Sequence, residues 1–165
     1  MAVITPINAA EAIFAPLFDM NISNREEFQL IEEGTNDGSF VQGWDQCVIH
    51  SSAKNFSLKW KGSLTLKGYD TLRFFMNFNP NILLSGTAVV NGAEHTLFID
   101  IKGGNAPIEP TGKPMKKANE ILELTEFTLK FHNAAGTTEK QQVMFYWAGL
   151  LASDREELKK GTTSI

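Results

Sequence analysis

Side chains that change character at every second residue constrain this chain more than any other feature. In LRFFMNFN (72–79), Leu72, Phe74, Met76 and Phe78 fall on one side, and Arg73, Phe75, Asn77 and Asn79 on the other. A period of two is that of a β-strand with one buried face. Related runs occur at 39–50, 55–60, 81–90, 94–103, 124–133 and 140–151. Turn chemistry separates them: KGYD (67–70), FNPN (78–81), GGNAPIEPTGKP (103–114) and NAAG (133–136). Asn91-Gly92 joins two of the runs as a hairpin signal. Short strands with turns at this spacing predict an all-β fold, an antiparallel sandwich. Helix is expected only at the termini, over NAAEAIFAPLF (8–18) and SDREELKKG (153–161). The expected organisation is an N-terminal extension (1–25), the sandwich (26–152), and a short helix opening a linker (153–165). A chain of 165 residues suits one such domain.

Alternation sorts the large side chains into two sets. The inward set comprises Phe56, Leu58, Trp60, Leu72, Phe74, Met76, Phe78, Leu97, Ile99, Ile101, Phe127, Leu129, Phe131, Phe145 and Trp147. Its burial would dominate folding, at roughly 1.5–3 kcal/mol per large side chain. The outward set includes Lys59, Arg73, Phe75, Asn77, Phe98, Lys130, His132 and Tyr146, with Ser85, Thr87, Thr96, Asp100 and Thr128. Trp44 joins it, because Val41, Cys47 and Ile49 claim the core side. A merely solvated face carries charges and threonines with few rings. This one mixes rings with amides, hydroxyls and cations. Such a mixture suits a sugar: its C–H face stacks on an aromatic ring and its hydroxyls pair with amides and charged groups. The competing reading buries these rings beneath a second sheet, a loop or another domain.

Composition excludes several classes. The net charge is −4, against a general nucleic-acid binder. Charge is nonetheless segregated. Residues 1–45 hold one Arg against eight acids, whereas residues 46–93 hold five bases against Asp70 alone. One cysteine, Cys47, forms no internal disulfide and reads as a small core residue. No apolar run reaches the ~18 residues of a membrane helix, and MAVITPINAA lacks the features of a secretory leader. No nucleophile elbow, zinc-protease motif or glycine-rich phosphate loop is present.

SLKW (57–60), LKGYDTLRF (66–74), the Asn91-Gly92 hairpin and FYWAGL (145–150) together resemble the jelly-roll carbohydrate-binding modules. The similarity is to those appended to agarases, heparinase-like lyases and other polysaccharide-degrading enzymes. It spans residues 26–152. The resemblance implies a non-catalytic, extracellular or periplasmic module that binds a polysaccharide or oligosaccharide and serves a catalytic domain in the same parent chain. The expected ligand-binding residues are Trp44, Lys59, Arg73, Phe75, Asn77, Phe98, Lys130, His132 and Tyr146. Arg73, Asn77 and Lys59 would orient the sugar and select acidic or sulfated groups. Many relatives hold a structural calcium, for which LIEEGTNDGS (30–39) offers hard oxygen ligands without EF-hand spacing; the plainer reading is an acidic turn. Two alternatives stand beside this. A jelly-roll polysaccharide lyase would gather Arg73, His132 and Tyr146. A protein-interaction or assembly sandwich would pack the rings on a partner.

Overall fold

The computed structural model describes residues 2–4, 14–19, 27–42, 46–115, 121–135 and 139–152. They form eleven strands: β1 (Ala2–Ile4), β2 (Phe14–Asp19), β3 (Phe28–Glu32), β4 (Ser39–Gln42), β5 (Cys47–Ser51), β6 (Asn55–Leu66), β7 (Thr71–Phe78), β8 (Ile82–Val90), β9 (Ala93–Lys102), β10 (Leu122–Asn133) and β11 (Gln141–Leu151). They build two sheets. The six-stranded sheet runs β6-β10-β8-β9, with β3 and β1 sharing the other edge of β6. The five-stranded sheet runs β4-β5-β11-β7, with β2 continuing along β11 beyond β5. All pairings are antiparallel except β1 with β6.

The far edge of β7 is covered by the segment 106–112. Phe74 N donates to Pro110 O (3.0 Å), Met76 N to Ile108 O (3.0 Å) and Gly112 N to Leu72 O (2.8 Å). Pro107 and Pro110 lie in this outermost segment, where a missing N–H costs no interior ladder bond.

The two inner faces meet in an aromatic core. Phe74 of β7 reaches across to Phe98 of β9 (centroids 6.1 Å, 89°) and Phe127 of β10 (5.3 Å). It also touches Phe145 of its own sheet (6.0 Å). Trp60 stacks on Phe127 (5.4 Å, 18°) and donates its indole N–H to Glu27 Oε2 (2.8 Å), so its one polar group is satisfied. Phe56 and Phe131 stack at 5.1 Å, and Phe78 meets Phe131 edge-on from the opposite sheet.

The antiparallel sandwich expected from alternation is therefore present, with four corrections. Phe14–Asp19 is a strand, not part of a helix, and there is no α-helix among the described residues; the expected C-terminal helix lies outside them. Strands from the segment read as an extension join both sheets. Phe98, expected outward, is 6% exposed, and Ile99, expected inward, is 66% exposed. The cause is irregular pairing between β8 and β9: Gly86 faces Phe98, but Thr87 faces Thr96 and Leu84 faces Ile101. Extra residues on β9 reverse the parity of its side chains. Trp147, expected inward, is the fourth, for the same reason in β11: Phe145 pairs with Met76 and Trp147 with Phe75, leaving Tyr146 as the inserted residue.

Gly86 makes the inward turn of Phe98 possible. A Cβ there would lie 2.6 Å from Phe98 Cε1. Gly86→Ala is expected to destabilise the fold by about 1–3 kcal/mol, as overpacking does, and to lower Tm by several degrees in a thermal melt. An unchanged Tm would show that the ring has room to move.

Candidate functional site

The sandwich divides the outward side chains between two faces that point in opposite directions. Arg73, Phe75, Asn77 and Tyr146 lie on the outer face of the five-stranded sheet, on β7 and β11. Lys59, Lys130 and His132 lie on the outer face of the six-stranded sheet, on β6 and β10. Phe98 lies on neither, being in the core. Trp44 falls outside the described residues. The nine residues expected to bind one ligand therefore do not form one site. Nor does a lyase constellation assemble, since His132 is on the sheet opposite to Arg73 and Tyr146.

The aromatic residues gather on the five-stranded sheet. The cross-strand pair Phe75–Trp147 is stacked, with centroids 5.6 Å apart and planes inclined by 26°. Tyr146 adjoins Phe75 at 4.9 Å. All three rings are half-buried. The bulge at Tyr146 produces this grouping, because it puts two consecutive rings of β11 beside the one outward ring of β7.

Beyond the rings the face becomes amide-rich. Asn77, Phe78, Asn79, Gly104, Asn105, Gln142 and Met144 line a cleft of about 220 Å³. Met144 sits between Val48 of β5 and Asn77 of β7, and Gln142 pairs with His50 (3.3 Å). Each amide carries both donors and an acceptor; Asn79 already donates from Nδ2 to Gln141 Oε1 and accepts from Asn81 N (2.9 Å) on Oδ1. Phe75 to Asn79 spans four residues of extended chain, roughly 13 Å. Rings and amides thus form one continuous strip. At its other end Arg73 Nε donates to Thr111 Oγ1 (2.9 Å).

Alternation alone missed Trp147 and the lining amides Asn105 and Gln142; it placed Asn79 outward, but Asn79 was not among the expected binding residues. A signal for Trp147 was nonetheless present. Val143 and Phe145 claim the core at odd positions, whereas Ala148 and Leu150 claim it at even ones. Such a conflict within one strand requires an inserted residue between them.

The cationic bias of residues 46–93 does not converge on the aromatic strip. Lys59 is across the sandwich, and its ammonium lies 3.7 Å from Glu126 Oε1. In the acidic loop after β3 two carboxylates hold hydrogen bonds within the protein. Glu32 accepts from Gly38 N (2.9 Å) with one oxygen and from Ser51 Oγ with the other. Ser52 Oγ donates to the Asp37 carboxylate (2.9 Å), a bond that holds its pKa below the ordinary value. No group of three His, Cys, Asp or Glu side chains converges among the described residues.

Truncation distinguishes the strip from the core beneath it. Trp147→Ala is expected to cost about 0.5–1.5 kcal/mol from the ring pair, plus partial burial. Phe145→Ala, two residues away and fully buried, should cost about 3–5 kcal/mol. Urea unfolding of both variants measures the difference, and equal losses would put Trp147 in the core.

No protein-family model matches the chain, and no curated protein matches it. Among solved structures it is similar to a point mutant of CBM29-2, a family 29 carbohydrate-binding module, complexed with cellulohexaose, at TM-score 0.50 and 11% identity, over 84% of this chain and 90% of that one. A CBM61 module in complex with β-1,4-galactotriose gives 0.43 and 11%, over 82% and 85%. The enzymatically active domain of a bacteriophage CBA120 tailspike gives 0.49 and 12%, over 79% of this chain and 20% of that one. At such identities the likeness is one of fold: the chain has the β-sandwich architecture found in carbohydrate-binding modules.

Proposed function

We propose that the protein is a non-catalytic carbohydrate-binding module that holds a polysaccharide on the outer face of its five-stranded sheet. The observation that carries this is the stacked, half-exposed Phe75–Trp147 pair running into a cleft lined by Asn77, Asn79, Asn105 and Gln142. Sugar C–H faces would lie against Phe75, Trp147 and Tyr146, each contributing on the order of 1 kcal/mol, the scale of aromatic contacts. Hydroxyls would exchange hydrogen bonds with the amides. Affinity from so few contacts is weak singly, and becomes useful when a neighbouring enzyme domain in an exported parent chain is tethered to an insoluble substrate.

The chemistry of this face favours a neutral glycan. Its amides do not discriminate in favour of anions, and Arg73 stands at the end of the strip beyond the rings, with its Nε on Thr111 Oγ1. The acidic or sulfated ligand suggested by charge segregation finds no cluster of cations on the strip among the described residues.

Affinity electrophoresis in gels containing β-glucan, galactan or mannan tests the proposal. The wild-type chain should be retarded in at least one gel, and Phe75→Ala and Trp147→Ala should each abolish most of that retardation. Retardation that survives both substitutions, or its absence from every gel, would overturn the reading. Raising the salt concentration should leave the retardation unchanged, because no ion pair is there to be screened.

A further inference from the structure

We propose that the outer face of the six-stranded sheet carries a second, independent ligand site: a cleft centred on Lys130 that takes a glycan segment with one anionic group, a carboxylate or a sulfate ester, between neutral sugar units. The cleft has a volume of about 210 Å³ and crosses four strands. Lys130 occupies its middle, on β10, flanked in register by Ser57 of β6 and Ser85 of β8. Two small neighbours leave the long cation standing in a hollow. Lys130 is exposed, and no hydrogen bond or ion pair engages its ammonium among the described residues. Lys59, one pair further along the same face, lies by contrast against Glu126.

Hydroxyl-binding groups surround this cation. His132 Nδ1 pairs with Asn55 Oδ1 (2.7 Å), which leaves Nε2 as the ring nitrogen open to a ligand. Ser85 Oγ accepts from Asp100 N (3.1 Å) and keeps its own proton to donate. Asp100 has φ of 51°, a left-handed backbone uncommon outside glycine, at the bulge that brings it to the cleft. Held strain of this kind clusters at functional sites.

Glu33 and Asp100 close the two ends of the cleft. Each lies two strands from Lys130, roughly 10 Å away at ordinary strand spacing. That backbone spacing is somewhat more than the Debye length of about 8 Å at physiological salt, so screening weakens their repulsion of an anion at Lys130. A charge-assisted hydrogen bond to the ammonium is not screened in the same way. The same two carboxylates accept hydroxyls of the flanking sugars, but they would repel a second anion placed against them. The site therefore selects spaced charges over a continuous run of them.

Calorimetric titration of the full chain tests this with hyaluronan oligosaccharides (alternating uronate), κ-carrageenan oligosaccharides (alternating sulfate) and oligogalacturonate (uninterrupted uronate). At least one alternating ligand should bind more tightly than oligogalacturonate. Which one binds identifies the carboxylate or the sulfate as the anion. Lys130→Gln should weaken that binding by roughly tenfold or more, the usual loss for a hydrogen bond to a charged group, and leave retardation by neutral glycan unchanged. Trp147→Ala should do the reverse. Binding of the alternating ligand that survives Lys130→Gln, that disappears with Trp147→Ala, or that does not exceed oligogalacturonate would overturn the proposal without touching the neutral-glycan reading.

Discussion

The two sheets depend on one ring. Phe74 is fully buried and contacts Phe98 and Phe127 of the opposite sheet as well as Phe145 of its own. Strand parity makes this contact consequential beyond stability. With Phe74 locked inward, Phe75 has only the outer face available, and a register slip of one residue would exchange them at the expense of the whole inward set of β7. The position of the exposed ring is thus secured by the packing of its buried neighbour.

Bulges then decide what company that ring keeps. A regular β11 would send Trp147 into the core with Phe145. The inserted Tyr146 instead turns Trp147 outward against Phe75 and returns Ala148 and Leu150 to the interior. In β9 the same device works in the opposite sense. It draws Phe98 inward over Gly86, turns Ile99 out to solvent and sets Asp100 at the rim of the Lys130 cleft. An extra backbone residue is a local change, yet it reassigns every side chain beyond it between solvent and core.

The chemistry of the two outer faces differs accordingly. One combines three rings with amides, a surface matched to the C–H faces and hydroxyls of uncharged sugars. The other sets the Lys130 ammonium among serines and an imidazole, with a carboxylate at each end of the cleft. The sandwich core between them prevents a single sugar ring from touching both. The mixture of rings and cations that looks like one surface along the sequence is two surfaces in space.

Period-two alternation determined much of this by itself. It established the strands from β5 onward, the inward roles of Phe56, Leu58, Phe74, Phe127 and Phe145, and the outward roles of Phe75, Asn77 and Tyr146, because burial of one strand face leaves a direct trace in residue order. It also carried a trace of the β11 bulge, in the clash of parity between Phe145 and Ala148. Only the tertiary structure decided that Lys59, Lys130 and His132 lie on the opposite sheet from Arg73 and Phe75. Alternation reports which side of its own strand a residue occupies and nothing about which sheet the strand joins; that depends on pairings between residues far apart in sequence, such as Phe75 with Trp147 and Lys130 with Ser57. The inward turn of Phe98 was decided in the same way, since the space it fills is the side chain that Gly86, on a neighbouring strand, does not have.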